Sequence, residues 1–236
     1  MQEMQKIKIA RMKLSFGVEI LPRDPARVGL AIIKTLIRIG DENVYYSLYE
    51  SGKHVVKPFG FFYSPAGETI RIGFLTYAER FNLYFSTSDP CMEKIVNDGF
   101  YRLKGSNGHI SYLISENLNG KAKPLSLNIF DVDMDDEIKI PSFVFPETFM
   151  EANKGLDEKE LFGLYFKQFN MDIEVLEIKK QSTYSNVGGA NKQIRGYNVM
   201  FKILSDINDA ADVIRRGVGA RKSQGFGYCI PSRKEI

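Results

Sequence analysis

Proton transfer near neutral pH is work that imidazole does readily, because its unperturbed pKa is about 6.5. The chain has two histidines, His54 and His109. His109, in GSNGHISYL, follows a turn and opens a strand; His54 follows ESGK, in a loop after the first helical region. A second grouping is GVGARKSQGFGYC, Gly217–Cys229. There Gly217, Gly219, Gly225 and Gly227 enclose Arg221, Lys222, Ser223 and Gln224, with Arg215 and Arg216 just upstream. Glycines let backbone N–H groups approach an anion, and the cations neutralise it. The segment therefore suits a phosphate backbone. It is not a nucleotide P-loop, since no strand directly precedes it and no Gly-Lys-Ser/Thr opens a helix. A turn into a final strand YCIPS accounts for the same glycines, with Gly217 closing a helix.

The distribution of charge points the same way. Net charge is only +3, but residues 191–236 hold nine bases against four acids, and residues 131–160 hold ten acids against three bases. A cationic C-terminal third suits a polyanion. Lys179, Lys180, Lys192 and Arg195 flank SNVGGANK, the glycine-rich tip of a hairpin. The acids of DVDMDDE, Asp131–Glu137, lack the glycine and terminal glutamate of a calcium loop and read as a solvated turn. Cys91 and Cys229 imply neither a disulfide framework nor a zinc set. No apolar run approaches the ~20 residues of a membrane span, and the start alternates polar and apolar residues unlike a signal peptide. A cytoplasmic protein without metal or cofactor and without membrane contact is expected.

Those candidate residues need elements to position them. Lys8–Ile20 reads as a strand broken near Gly17. Val28, Leu30, Ile32, Ile33, Leu36, Ile37 and Ile39 lie on one helical face that Gly40 ends. PFGFFYSPAG and IRIGFLTYAERFNLYFST read as aromatic-rich strands. Asp89 caps a helix with Pro90 at its first position and Gly99 as its stop. GHISYLISENL is the next strand. The second half repeats the order: LSLNIF as a strand, a helix from PETF to KQFN with a Gly interruption, a hairpin of DIEVLEIKKQSTY and IRGYNVMFKIL, and a helix capped by Ser205 and closed at Gly217. Two tandem ferredoxin-like (RRM-like) βαββαβ domains of the α+β class follow, 1–125 and 126–236.

VIRRGVGARKSQGFGYC resembles the C-terminal glycine-rich signature of the CRISPR repeat-processing endoribonucleases of the RAMP superfamily. YSLYESGKHVVKPFGFFYS resembles the stretch in which members carry LHE…KLFTFS. The resemblance implies binding of precursor CRISPR repeat RNA and one metal-independent cleavage, with 2′-hydroxyl attack leaving a 2′,3′-cyclic phosphate and a 5′-hydroxyl. It places Tyr49 where catalytic members have histidine, and Lys57 at the lysine before the aromatic strand. Either the loop folds back so that His54 replaces the missing imidazole, or Tyr49 acts with Lys57. Without the resemblance, Tyr49 reads as a helix-face aromatic packed on the sheet and Lys57 as a solvated strand-edge cation. RNA contacts are expected from Lys179, Lys180, Lys192, Arg195 and the segment from Arg215 to Gly227. The alternative is a non-catalytic RAMP-type subunit holding guide RNA in a CRISPR effector complex. A homodimer is left open by the exposed aromatics.

Overall fold

The computed structural model describes residues 7–22, 25–51, 55, 57–73, 75–115, 117–187, 190–220 and 227–232, with backbone alone for 183–187 and 190–194. Close contacts group the chain into two units. One lies within Arg11–Phe130; the other lies within Asp131–Lys222 and Phe226–Ile236 and takes in the end of the first strand at residues 7–10.

The first unit is built on β1 (Ile7–Gly17), β2 (Ile20–Pro22), β3 (Phe59–Ile72), β4 (Leu75–Thr87), β5 (Ile110–Ser115) and β6 (Leu118–Met134). The sheet order is β2-β4-β1-β6-β5, with β3 also paired to β4. Alternation along β4 sends Ala78, Phe81, Leu83 and Phe85 inward, and β1 adds Met12, Leu14 and Phe16. Two long helices cover that face, α1 (Ala26–Gly40) and α3 (Pro90–Gly105), through Val28, Ile32, Ile33, Leu36, Val96 and Phe100.

Gly99 does not stop its helix. It lies inside α3, where a Cβ would fall on the carbonyl oxygen of Leu36, while a Cβ at Gly40 would fall on that of Ile95. These two glycines let the backbones of α1 and α3 touch. LSLNIF likewise belongs to β6, the partner of β5 and β1, rather than opening the second half.

The second unit runs β7 (Glu137–Phe143), α4 (Glu147–Ala152), α5 (Glu158–Lys167), β8 (Ile173–Val187), β9 (Ala190–Ile203), α6 (Ile207–Arg216) and β10 (Ile230–Pro231). Its sheet order, β10-β7-β9-β8, is that of a ferredoxin-like unit. The core is strongly aromatic, Phe143, Phe145, Phe162 and Tyr165 meeting ring to ring at 4.7–5.6 Å. Asp206, not Ser205, caps α6 by accepting the N–H of Asn208, and α5 starts on a reciprocal Asp157/Glu160 capping box. Both units carry the βαββαβ order, so the chain is a tandem ferredoxin-like α+β protein.

Candidate functional site

A short helix to which the sequence reading gave no bounds arranges the first cluster. The carboxylate of Asp41 accepts the N–H groups of Asn43 and Val44 at 2.9 and 3.1 Å, so α2 (Glu42–Tyr49) follows α1 with Asp41 alone between them. The sharp turn sets two residues a turn apart on α2 against two a turn apart on α1. Lys34 Nζ lies 4.5 Å from the centroid of the Tyr49 ring, and the Arg38 guanidinium lies 5.7 Å from that of Tyr45. The two tyrosine rings stand 5.3 Å apart.

Lys57 reaches the same ring from the other direction in the chain. Its Nζ is 4.4 Å from the Tyr49 centroid and donates to the Leu48 carbonyl, one of the free acceptors at the end of α2. Burial holds the Lys57 ammonium below the usual lysine range, and the like charge of Lys34 adds to the effect. Tyr49 behaves oppositely: burial, then the neighbouring Tyr45, drives its phenol far above the usual tyrosine value. Its hydroxyl is buried without a hydrogen-bond partner among the described residues. What Tyr49 offers is therefore a ring with two cations against it. Lys34, which nothing in the sequence reading singled out, completes the cluster. The clue was its spacing, Lys34 and Arg38 on α1 with Tyr45 and Tyr49 on the segment that follows.

His54 lies outside the described residues, as do Arg221, Lys222, Ser223, Gln224, Gly225 and the side chain of Lys192. His109 is exposed immediately before β5.

The glycine-rich segment is anchored at both described ends. A β-bulge between Ile140 and Phe143 takes Pro141 and Ser142 out of the β7–β9 ladder. The Ser142 carbonyl accepts the Gly227 N–H at 2.6 Å, the Val144 carbonyl accepts that of Ala220 at 2.7 Å, and the Tyr165 hydroxyl accepts that of Gly219 at 3.1 Å. Val218 N–H donates to Gly227 at 3.0 Å. Gln181, opposite the side-chain-free Gly196, reaches over β9 and donates to the Pro141 carbonyl at 3.0 Å.

Gly217, Gly219 and Gly227 take φ of 70°, 86° and 75°, and a Cβ on Gly227 would fall on the Val218 carbonyl oxygen. These glycines answer to the backbone of the segment itself, and the amides of residues 218, 219, 220 and 227 are spent on protein acceptors. Arg216 rests 5.9 Å from the Phe169 centroid, and both it and Arg215 are half-buried at the end of α6.

In the hairpin, Lys180 meets Glu158 at 2.6 Å and Lys179 meets Glu177 at 2.7 Å, while Arg195 is exposed. The bond from Lys180 holds the Glu158 carboxyl below the usual range, with Arg195 contributing. Two of the four hairpin cations thus have carboxylate partners in the protein.

Two ferredoxin-like units, a glycine-rich segment closing the second and a lysine-bearing aromatic turn in the first define a protein of the RAMP class. The family model described as "CRISPR associated protein Cas6, C-terminal" matches residues 101–230, more than half of the chain. The chain belongs to the Cas6 family, and with it to the proteins that process or bind CRISPR RNA.

Solved structures agree in fold. A CRISPR-associated protein Cas6 is 14% identical with a TM-score of 0.64, over 97% of this chain and 100% of that one. A RAMP protein described as binding different RNA substrates is 16% identical with a TM-score of 0.64, over 93% and 98%. The product of a Cas6-related gene from Pyrococcus furiosus is 14% identical with a TM-score of 0.63, over 97% and 100%. Among curated proteins, a long-isoform ulvan lyase from Glaciecola sp. (strain KUL10) is 30% identical over 79 residues. That match spans 34% of this chain and 7% of the lyase. No helix among the described residues is long and apolar enough to cross a membrane.

Proposed function

We propose that the protein is an endoribonuclease that binds the repeats of precursor CRISPR RNA and cuts within them without a catalytic metal. The nucleophile is the substrate's own 2′-hydroxyl. Its oxygen bonds to the adjacent phosphorus as the bond from phosphorus to the 5′-oxygen breaks, leaving a 2′,3′-cyclic phosphate and a 5′-hydroxyl. His54 takes the 2′-hydroxyl proton, the Lys57 ammonium gives one to the departing 5′-oxygen, and solvent restores both groups. Tyr49 contributes its ring, which holds Lys57 in place.

Residues 1–125 carry this chemistry. Residues 126–236 grip the RNA by phosphate and shape, through Arg215, Arg216, Arg221 and Lys222 and through Lys179, Lys180, Lys192 and Arg195 of the hairpin. The observation that carries the reading is the desolvated Lys57 ammonium fixed on Tyr49 and the end of α2. A cation there is a proton donor as well as a charge for the pentavalent phosphorus. The solved RAMP protein described as binding different RNA substrates supports an RNA ligand on the same fold.

A second reading, an RNA-binding subunit that does not cut, draws on Tyr49 itself. A phenol raised this far cannot serve as the base that histidine supplies in the enzymes the sequence resembles. Labelled repeat RNA in EDTA separates the two, with a parallel RNA carrying a 2′-deoxy sugar at the cut. Cleavage that the deoxy sugar abolishes supports the enzyme; tight binding with the RNA left whole supports the subunit.

A further inference from the structure

Among the cations proposed to grip RNA, Lys180 is already held by the protein itself. Its ammonium, on β8, meets the carboxylate of Glu158, in the first turn of α5, at 2.6 Å. The register sets Lys180 opposite Tyr197 and Ser182 opposite Arg195. Lys180 and Arg195 therefore share the hairpin face on which Tyr197 packs against Phe162 of α5. Arg195 acts electrostatically on the same carboxylate.

Helix capping does not account for Glu158. Asp157 accepts the Glu160 N–H at 2.9 Å and Glu160 accepts the Asp157 N–H at 3.0 Å, which completes the start of α5 without it. The positive end of the helix keeps Glu158 ionised. An ion pair whose side chains are 60% and 33% exposed also adds little to stability, because water screens it and two long side chains are ordered to form it. What the pair does is occupy a cation where a phosphate would sit.

Resting on the RNA-binding reading above, we infer that Glu158 is a displaceable counterion of the RNA interface: its carboxylate occupies Lys180 until an RNA phosphate takes its place, and so sets how tightly the base of the hairpin holds RNA. The exchange breaks no covalent bond and moves no proton. Lys180 turns from a carboxylate oxygen to a phosphate oxygen, and Glu158 is left ionised beside an anion. The lost pair and the new repulsion both lower affinity, by an amount that salt screens. A role confined to holding Lys180 extended for the RNA would have the opposite sign.

The test is the affinity of the full chain for labelled repeat RNA with a 2′-deoxy sugar at the cut, from about 0.05 to 0.5 M salt. Wild type, Glu158→Gln and Glu151→Gln are compared; Glu151, exposed on α4, removes the same charge elsewhere. Glu158→Gln is expected to bind about fivefold tighter at the lowest salt, to depend more steeply on salt and to meet the wild type at the highest. Glu151→Gln should stay within about twofold of wild type throughout.

A Glu158→Gln protein whose affinity follows the wild type at every salt concentration overturns the inference and leaves the RNA reading standing. So does one that binds more weakly, which marks a role in holding Lys180 in place. A Glu151→Gln protein that tightens as much does the same, since net charge then explains the effect. A wild type that does not bind the repeat overturns both.

Discussion

Replacing Tyr49 by phenylalanine should leave the protein at least as stable as it is, and replacing it by leucine should not. The hydroxyl is buried with no partner among the described residues. A buried, unsatisfied polar group costs about 1–3 kcal/mol, so its removal should return about 1 kcal/mol. The ring is retained by phenylalanine and lost with leucine. Each ammonium, at 4.4 and 4.5 Å from its centroid, has a cation–π attraction of roughly 0.5–2 kcal/mol. Their mutual repulsion offsets part of the sum, leaving a net loss of about 1–2 kcal/mol for Tyr49→Leu.

In thermal unfolding at pH 7 that is a midpoint about 2–4 °C above wild type for Tyr49→Phe and about 2–8 °C below it for Tyr49→Leu. The difference between wild type and Tyr49→Phe should widen in alkali. Burial raises the Tyr49 pKa in the folded state above the unfolded value near 10, so that contribution is complete below pH 10 and lost as the pH climbs beyond it. Phenylalanine has no such loss. If Tyr49→Phe proves as unstable as Tyr49→Leu, the hydroxyl has a partner and the ring-platform account of the cluster is wrong.

Other expectations concern the framework and the RNA. On an exposed helix Gly→Ala stabilises by about 1 kcal/mol, but Gly99→Ala should lower the urea midpoint, because its Cβ would fall on the Leu36 carbonyl oxygen where α1 and α3 touch. Gly227→Ala combines a φ of 75° with a collision on the Val218 carbonyl oxygen and should cost at least about 3 kcal/mol in the same assay. An unchanged midpoint for either would mean that the close approach is absent in solution. Arg221→Ala with Lys222→Ala should weaken repeat-RNA binding and flatten its dependence on salt; affinities that track wild type across salt concentrations would remove the segment from the RNA interface.

Much of the architecture was legible because long amphipathic periods leave little choice. The helical face from Val28 to Ile39, the Asp89-Pro90 start of α3 and the hairpin of β8 and β9 all appear where periodicity and caps place them. The errors have physical causes. Gly99 was read as a stop because glycine both ends helices and lets helix backbones meet, and only the crossing partner tells which. LSLNIF was assigned to the second unit because it is one part of a 17-residue strand, far longer than a typical strand of about 5–6 residues, and that strand contains Pro124. The eight residues of α2 give too short a window for a period, so the turn at Asp41 that aims Tyr45 and Tyr49 at α1 stayed hidden. Lys34 was invisible for the same reason. Within GLAIIKTLI it is simply the polar position of an amphipathic helix, and its meaning comes from a ring fifteen residues away in sequence.

In the glycine-rich segment one sequence pattern answers to two physical causes. Glycines spaced to expose amides to an anion are also glycines spaced to let two strands of backbone cross, and here the described amides point at Ser142, Val144, Tyr165 and Gly227. A phosphate held by those N–H groups would have to break bonds of 2.6–3.1 Å that fix the segment to the β7 bulge. It follows that any RNA contact made at residues 215–220 and 227 comes from side chains, Arg215 and Arg216 first. Cations reaching out from a rigid base neutralise phosphate without fixing its orientation. Their signature is therefore a shallower salt slope on substitution, with little change in which linkage is cut. The choice of linkage should instead follow the Lys34, Tyr49 and Lys57 cluster, where the charges are held in one geometry by a shared ring.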